Sequence, residues 1–136
     1  MESEHFVGKV AQKAILEKDG KILISRFPTD TKWDLPGGRV HRGEQPQVGL
    51  AREMAEELGV EVLVDRPFFA YMSTTESGEQ RYFVAFAVTQ KDLTQPFTLQ
   101  KEEVAEIQWI SKDDIENLPI FEVCKEAIRA YFNKEN

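Results

Sequence analysis

Three glutamates, Glu53, Glu56 and Glu57, fall close together in a segment with helical periodicity. At roughly 100° per residue, setting Glu53 at 0° puts Glu57 at about 40° and Glu56 at about 300°, so one helix face carries all three. On the same wheel Val48, Ala51, Met54, Ala55 and Leu58 lie between roughly 100° and 220°, a core face opposite the acidic one. Like charges at i,i+3 and i,i+4 weaken a helix by about 0.2–0.5 kcal/mol per pair. A cation reverses that sign. Mg²⁺ takes oxygen ligands in octahedral geometry and keeps some of its waters, so such a face can hold one ion or more, directly or through water. On the helix alone a plainer reading stays open: a solvated acidic face, eased by pairing of Arg52 with Glu56 at i,i+4.

The flanking residues narrow that choice. From Gly38 to Val60 the chain reads GRVHRGEQPQVGLAREMAEELGV. It fits G-x5-E-x7-R-E-U-x-E-E-x-G-U, with U a hydrophobe, at Gly38, Glu44, Arg52, Glu53, Met54, Glu56, Glu57, Gly59 and Val60. At ordinary residue frequencies, chance agreement at one start position is on the order of 10⁻⁹ to 10⁻¹⁰. This pattern is the Nudix box, and the chain resembles the MutT-like Nudix hydrolases. A looser likeness takes in the approach Trp33-Asp34-Leu35-Pro36-Gly37-Gly38 and the late strand holding Trp109.

The resemblance implies an α/β fold, a three-layer α/β/α sandwich with a mixed central sheet, in which the box forms loop, helix and loop. It implies Mg²⁺, with Mn²⁺ as a substitute. Glu53, Glu56 and Glu57 would ligate it together with the backbone carbonyl of Gly38, where a missing side chain permits close approach. Glu53 or Glu57 would stand near the attacking water, Arg52 would orient the carboxylates, and Glu44 would brace the loop. Relatives add a carboxylate just before the Trp-bearing strand; Glu103 is the best match and Glu102 the alternative, against the plain reading of both as surface residues. Arg26 and Arg39 occupy positions resembling phosphate-contacting ones, where a guanidinium can fork onto oxygens, against the plain reading of each as a surface arginine. Arg42 and Arg81 are weaker candidates.

Three positions depart from the pattern. Met54 replaces an aliphatic residue, which packing tolerates. His41 stands where relatives carry an acid, and it reads as an exposed loop histidine. Gly49 stands where relatives favour alanine and weakens the helix by about 1 kcal/mol. It falls near the acidic face, where a missing side chain leaves room for metal or phosphate. The aromatics Phe27, Trp33, Phe83 and Phe86 read as core residues.

These residues need a scaffold. Residues 6–16 and 21–26 read as strands joined by an Asp19-Gly20 hairpin turn. Residues 27–42 read as loop, and 46–58 as a helix with Pro46 near its first turn and Gly59 as its stop. Strands are expected at 60–64, 67–72, 81–88 and 104–110, the third apolar enough to be buried on both faces. Ser111 reads as an N-cap with Asp114 three residues on, and 121–132 as a final amphipathic helix. Strands before, between and after the helices predict one mixed sheet with helices on its faces, and residues 1–136 are expected to form a single domain.

Formal net charge is −7, which argues against a nucleic-acid polymer as partner, since such binding uses clustered Lys and Arg. A metal ion can still neutralise an acidic site locally for a phosphorylated small molecule. No apolar run is long enough for a membrane span, and the opening Met1 to His5 lacks signal-peptide character. The single cysteine, Cys124, reads as a core residue and suits a cytoplasmic setting. Oligomeric state stays open, a homodimer included. The expected reaction is Mg²⁺-dependent hydrolysis of a diphosphate linkage in a small nucleotide-like molecule. Alternatives are an ADP-ribose or nucleotide-sugar pyrophosphatase, a Nudix-fold sensor that binds without turnover, and a structural module. Pro67 and Tyr71 come too early for the ADP-ribose and dinucleotide markers of related subfamilies, and no coenzyme A signature precedes the box. Elimination therefore favours a nucleoside or deoxynucleoside triphosphate, cut to monophosphate and pyrophosphate.

Overall fold

A computed structural model describes residues 4–133, so Met1, Glu2 and Ser3 of the opening segment lie outside it. Six strands form one mixed sheet among the described residues: β1 (Gly8–Lys18), β2 (Lys21–Arg26), β3 (Gly37–Arg39), β4 (Val62–Thr74), β5 (Gln80–Gln90) and β6 (Glu106–Ile110). Helix α1 (Pro46–Leu58) and helix α2 (Glu122–Asn133) pack on it, with a 3₁₀ turn at Lys112–Asn117. The strand order is β4-β5-β1-β2-β6, and β3 pairs with β1 off that path. β1 runs parallel to β5 and antiparallel to β2 and β3.

Side chains alternate across this sheet and divide the core in two. Ile15, Ile22, Ile24, Phe83 and Ala85 face α2, where Cys124, Ala127 and Ile128 meet them. Ala14, Leu16, Leu23, Phe86 and Val88 face α1, where Leu50, Met54 and Leu58 meet them. Leu50, Met54 and Leu58 are almost wholly buried, and each such side chain contributes about 1.5–3 kcal/mol. Helices therefore cover both faces, the expected α/β/α sandwich. β5 is buried toward both cores, as its apolar run predicts.

Several local expectations hold. α1 starts at Pro46 and ends before Gly59, whose φ of 69° gives the left-handed stop. Asp19 and Gly20 both take positive φ, 53° and 79°, which matches the right-handed strand twist in a two-residue hairpin. The Ser111 N–H donates to Asp114 Oδ2 at 2.9 Å at the start of the 3₁₀ turn.

Other expectations need correction. The strands expected at 60–64 and 67–72 are one strand, β4, with register shifts on either side of Pro67. β4 is an edge strand, where a proline's missing N–H and a bulge are tolerated. β3 lies inside the stretch read as loop; it is three residues held by pairing to β1, with no periodicity of its own. Val48 is not core: it is 63% exposed, because α1 is turned so that its buried face centres on Leu50, Met54 and Leu58. Glu53 and Glu57 therefore border the core face instead of opposing it. Phe27 is 41% exposed, since β2 ends at Arg26 and the chain leaves the sheet.

β1 changes partner along one edge. Ala11, Gln12 and Lys13 pair with β3, whereas Glu17 and Lys18 pair with β2. Between them the Ala14 N–H donates to the Pro36 carbonyl at 2.8 Å. The sheet forks there, and the fork opens beside α1.

Candidate active site

A cleft of about 420 Å³ occupies the fork. Gly38, Arg39, Arg52, Glu53, Glu56, Glu57 and Glu103 line it. These come from three places in the chain, β3, α1 and the turn before β6.

The start of α1 is tied to β1: the buried Gln12 side-chain amide donates to the Pro46 carbonyl at 2.9 Å. The loop before α1 is tied by Arg52. Its Nε donates to Glu44 Oε2 at 2.7 Å and its Nη2 to Glu44 Oε1 at 3.2 Å. Its Nη2 also reaches Glu53 Oε1 at 3.1 Å, and its Nη1 reaches Glu56 Oε2 at 2.8 Å. One guanidinium thus spans three carboxylates. The hydrogen bond from Arg52 is the main reason the Glu44 carboxyl is held below its usual range, with the His41 N–H adding to it. Arg52 itself is pushed well above its ordinary value, Glu44 first and Glu56 next.

Gly49 serves that brace. A Cβ there would meet Glu44 Oε1 at 2.6 Å and Gln12 Nε2 at 3.2 Å. The room expected for metal or phosphate is filled by the Glu44 and Gln12 side chains instead. At Gly38 the close approach is to Glu53: a Cβ would stand 2.9 Å from Glu53 Cδ and 3.0 Å from both carboxylate oxygens. The glycine lets the Glu53 carboxylate lie against the β3 backbone.

Glu103 arrives through a second tether. The Thr98 N–H donates to the Leu58 carbonyl and the Gln100 N–H to the Glu57 carbonyl, both at 2.9 Å. The Glu103 and Val104 N–H groups then fold back onto the Gln100 carbonyl at 3.0 and 2.8 Å. This turn brings Glu103 to the cleft; Glu102 does not line it. Arg39 lines the cleft and Arg26 does not. Arg26 Nη2 pairs with Glu106 at 2.8 Å, and its Nη1 donates to the Asp30 carbonyl at 3.0 Å. His41 is exposed at the rim, and Phe27 lies along the wall. Arg42 is exposed, and Arg81 pairs with Glu79 at 2.9 Å.

Glu57 is the most perturbed acid. Burial, then a hydrogen bond with Glu53, then the charges of Glu53 and Glu103, push its carboxyl up to about 9, against the opposing pull of Lys13. Negative charge is thus crowded and short of compensation at Glu53, Glu57 and Glu103. The donor set is all oxygen, as Mg²⁺ or Mn²⁺ requires, so these residues fit such an ion. Among the described residues no three His, Cys, Asp or Glu side chains are already drawn together as a metal cage. Arg52 holds Glu53 and Glu56 by one edge, and Glu57 lies within hydrogen-bond reach of Glu53.

Lys13 was absent from the sequence reading, and Asp34 stood there only as part of the approach to the box. Lys13 comes from β1, and its ammonium lies 3.3 Å from Asp34 Oδ1. The same oxygen accepts from the Leu35 N–H at 2.7 Å and from the buried Cys124 thiol at 3.1 Å. Burial works to lower the Lys13 pKa, but Asp34, Cys124 and Glu57 outweigh it and the net shift is upward. A lysine on the same face of an expected strand as Ala11 and Ile15 was the available signal. Beyond Lys13 and Asp34 a second cleft of about 280 Å³ opens on the α2 side, with Tyr71, Tyr82, Phe83 and Phe121 on its walls.

The chain is similar to known proteins in sequence and in fold. A family model described as NUDIX domain matches residues 10–131. A MutT-like protein of Streptomyces ambofaciens is 32% identical over 101 residues, 74% of this chain and 62% of its own length. The chain thus spans under two thirds of that relative. The CTP pyrophosphohydrolase of Escherichia coli is 32% identical over 111 residues, covering 79% of this chain and 78% of its own. The solution structure of the E. coli ORF135 protein superposes with a TM-score of 0.74 at 26% identity, over 93% of this chain and 94% of that one.

Proposed function

The chain belongs to the Nudix family, and on that premise we propose that it hydrolyses a nucleoside or deoxynucleoside triphosphate to the monophosphate and pyrophosphate, with Mg²⁺ or Mn²⁺ as cofactor. The matched segment acts as one domain, in a cytoplasmic setting. The observation that carries the reading is the convergence of Glu53, Glu56, Glu57 and Glu103 with Arg39 in one cleft that shares Lys13 and Asp34 with an aromatic one. The first suits a metal-bound diphosphate and the second a planar base. The name of the E. coli relative, CTP pyrophosphohydrolase, supports a triphosphate substrate.

Glu53, Glu56, Glu57, Glu103 and the Gly38 carbonyl would hold the metal. When bound, the cation supplies positive charge for the phosphate oxygens and eases ionisation of the attacking water. With the cation bound, Glu57 would be held as a carboxylate beside Glu53, the form that can accept a proton from that water. Arg52 keeps Glu53 and Glu56 aligned, and Arg39 offers a fork to phosphate oxygens. Arg26, paired to Glu106, has no part in this reading.

The test compares kcat/KM for nucleoside triphosphates, ADP-ribose and a dinucleoside polyphosphate under one Mg²⁺ condition. A tenfold or greater preference for either of the last two, about 1.4 kcal/mol in transition-state binding, would sink the triphosphate assignment. Tight nucleotide binding without product release would point to the sensor reading.

A further inference from the structure

The carboxylate cleft and the aromatic cleft share two lining residues, Lys13 and Asp34. Lys13 projects from β1 to the α2 side, in step with Ile15. It reaches the cleft of the α1 carboxylates because the sheet forks where β1 exchanges β3 for β2. Its side chain is only 15% exposed. Its anchor is firm: the Asp34 backbone exchanges two hydrogen bonds with Ser25, at 2.7 and 2.8 Å, and the Asp34 carboxylate is held by the Leu35 N–H and the Cys124 thiol.

A half-buried ion pair is a poor way to gain stability, because apolar or neutral residues of similar size serve as well or better. An ammonium also carries three donors, and Asp34 Oδ1 takes one. A nucleotide lying across both clefts must put the phosphate that bears its sugar at their junction. We propose that Lys13, held in place by Asp34, binds that nucleoside-bearing phosphate and sets the register between base and diphosphate. This rests on the nucleotide reading above.

The experiment separates the two. Binding of AMP, GMP, CMP and UMP is measured in EDTA against the matching nucleosides. The native protein should bind at least one monophosphate tenfold or more tighter than its nucleoside. The double variant Lys13→Met with Asp34→Asn removes both charges, so no carboxylate is left unpaired. It should lose that preference while keeping its affinity for the nucleoside. With the best substrate of the panel, its KM should rise at least tenfold. Lys13→Arg should retain the preference, and Lys13→Gln carries the comparison if the double variant does not fold. A native protein that binds monophosphate no better than nucleoside overturns the proposal, as does a preference that survives loss of Lys13. A panel won by ADP-ribose overturns the triphosphate reading instead.

Discussion

Replacing Gly38 with alanine tests whether the β3 backbone and Glu53 act as one unit. The new Cβ would lie 2.9 Å from Glu53 Cδ and 3.0 Å from each oxygen, where ordinary contact begins at 3.4 Å. Gly38 does not take positive φ, so the strand backbone accepts alanine and the strain falls on the carboxylate. Glu53 must retreat by about 0.5 Å, the tolerance within which catalytic groups are normally held. Misplacement by 1 Å costs about 10²-fold, so Gly38→Ala should lower kcat/KM by roughly ten- to a hundredfold with Tm nearly unchanged. Gly20→Ala is the control. It takes φ of 79° with nothing within 4 Å of a Cβ, so it should cost about 1–2 kcal/mol of stability and leave kcat/KM of the folded protein unchanged. Steady-state kinetics with a thermal melt on each variant decides. A Gly38→Ala protein within threefold of native activity would refute the coupling.

Other outcomes follow from the same geometry. Glu53→Gln and Glu57→Gln keep shape but remove charge, and each should lower kcat by at least about 10²-fold; near-native kcat in a folded variant removes these groups from catalysis. Activity should require Mg²⁺ or Mn²⁺ and vanish with EDTA, and full turnover in metal-free buffer would contradict the assigned site. Glu57, pushed from 4.5 to about 9, binds more proton folded than unfolded between those values. Metal-free stability should therefore fall as pH rises through that window. Melting in EDTA at pH 5.5 and 8.5 measures the slope; Glu57→Gln should flatten it, and an unchanged slope in that variant would refute the cause.

Local chemistry was legible in the residues themselves. The box identified the family because its glutamates, arginine and glycines are spaced by a helix and its entry loop, which short-range geometry dictates. The ends of α1 were readable because Pro46 and Gly59 act through their own backbone angles, and the Asp19-Gly20 turn for the same reason. Periodicity groups residues on one face of a helix, but it does not say how far the helix is rolled against its sheet. Packing of Leu50 against the sheet core rolled α1, left Val48 in water and drew Glu57 inward. β3 exists only through its pairing with β1, so the fork it creates has no signature in residues 37–39. The role of Gly49 depends on where the Glu44 and Gln12 side chains come to rest, and Arg26 is turned to Glu106 by the pairing of β2 with β6. Lys13 and Asp34 meet only when β1, the loop ahead of the box and α2 have packed. Contacts between residues so far apart in the chain are set by the three-dimensional exclusion of water, which no local spacing encodes.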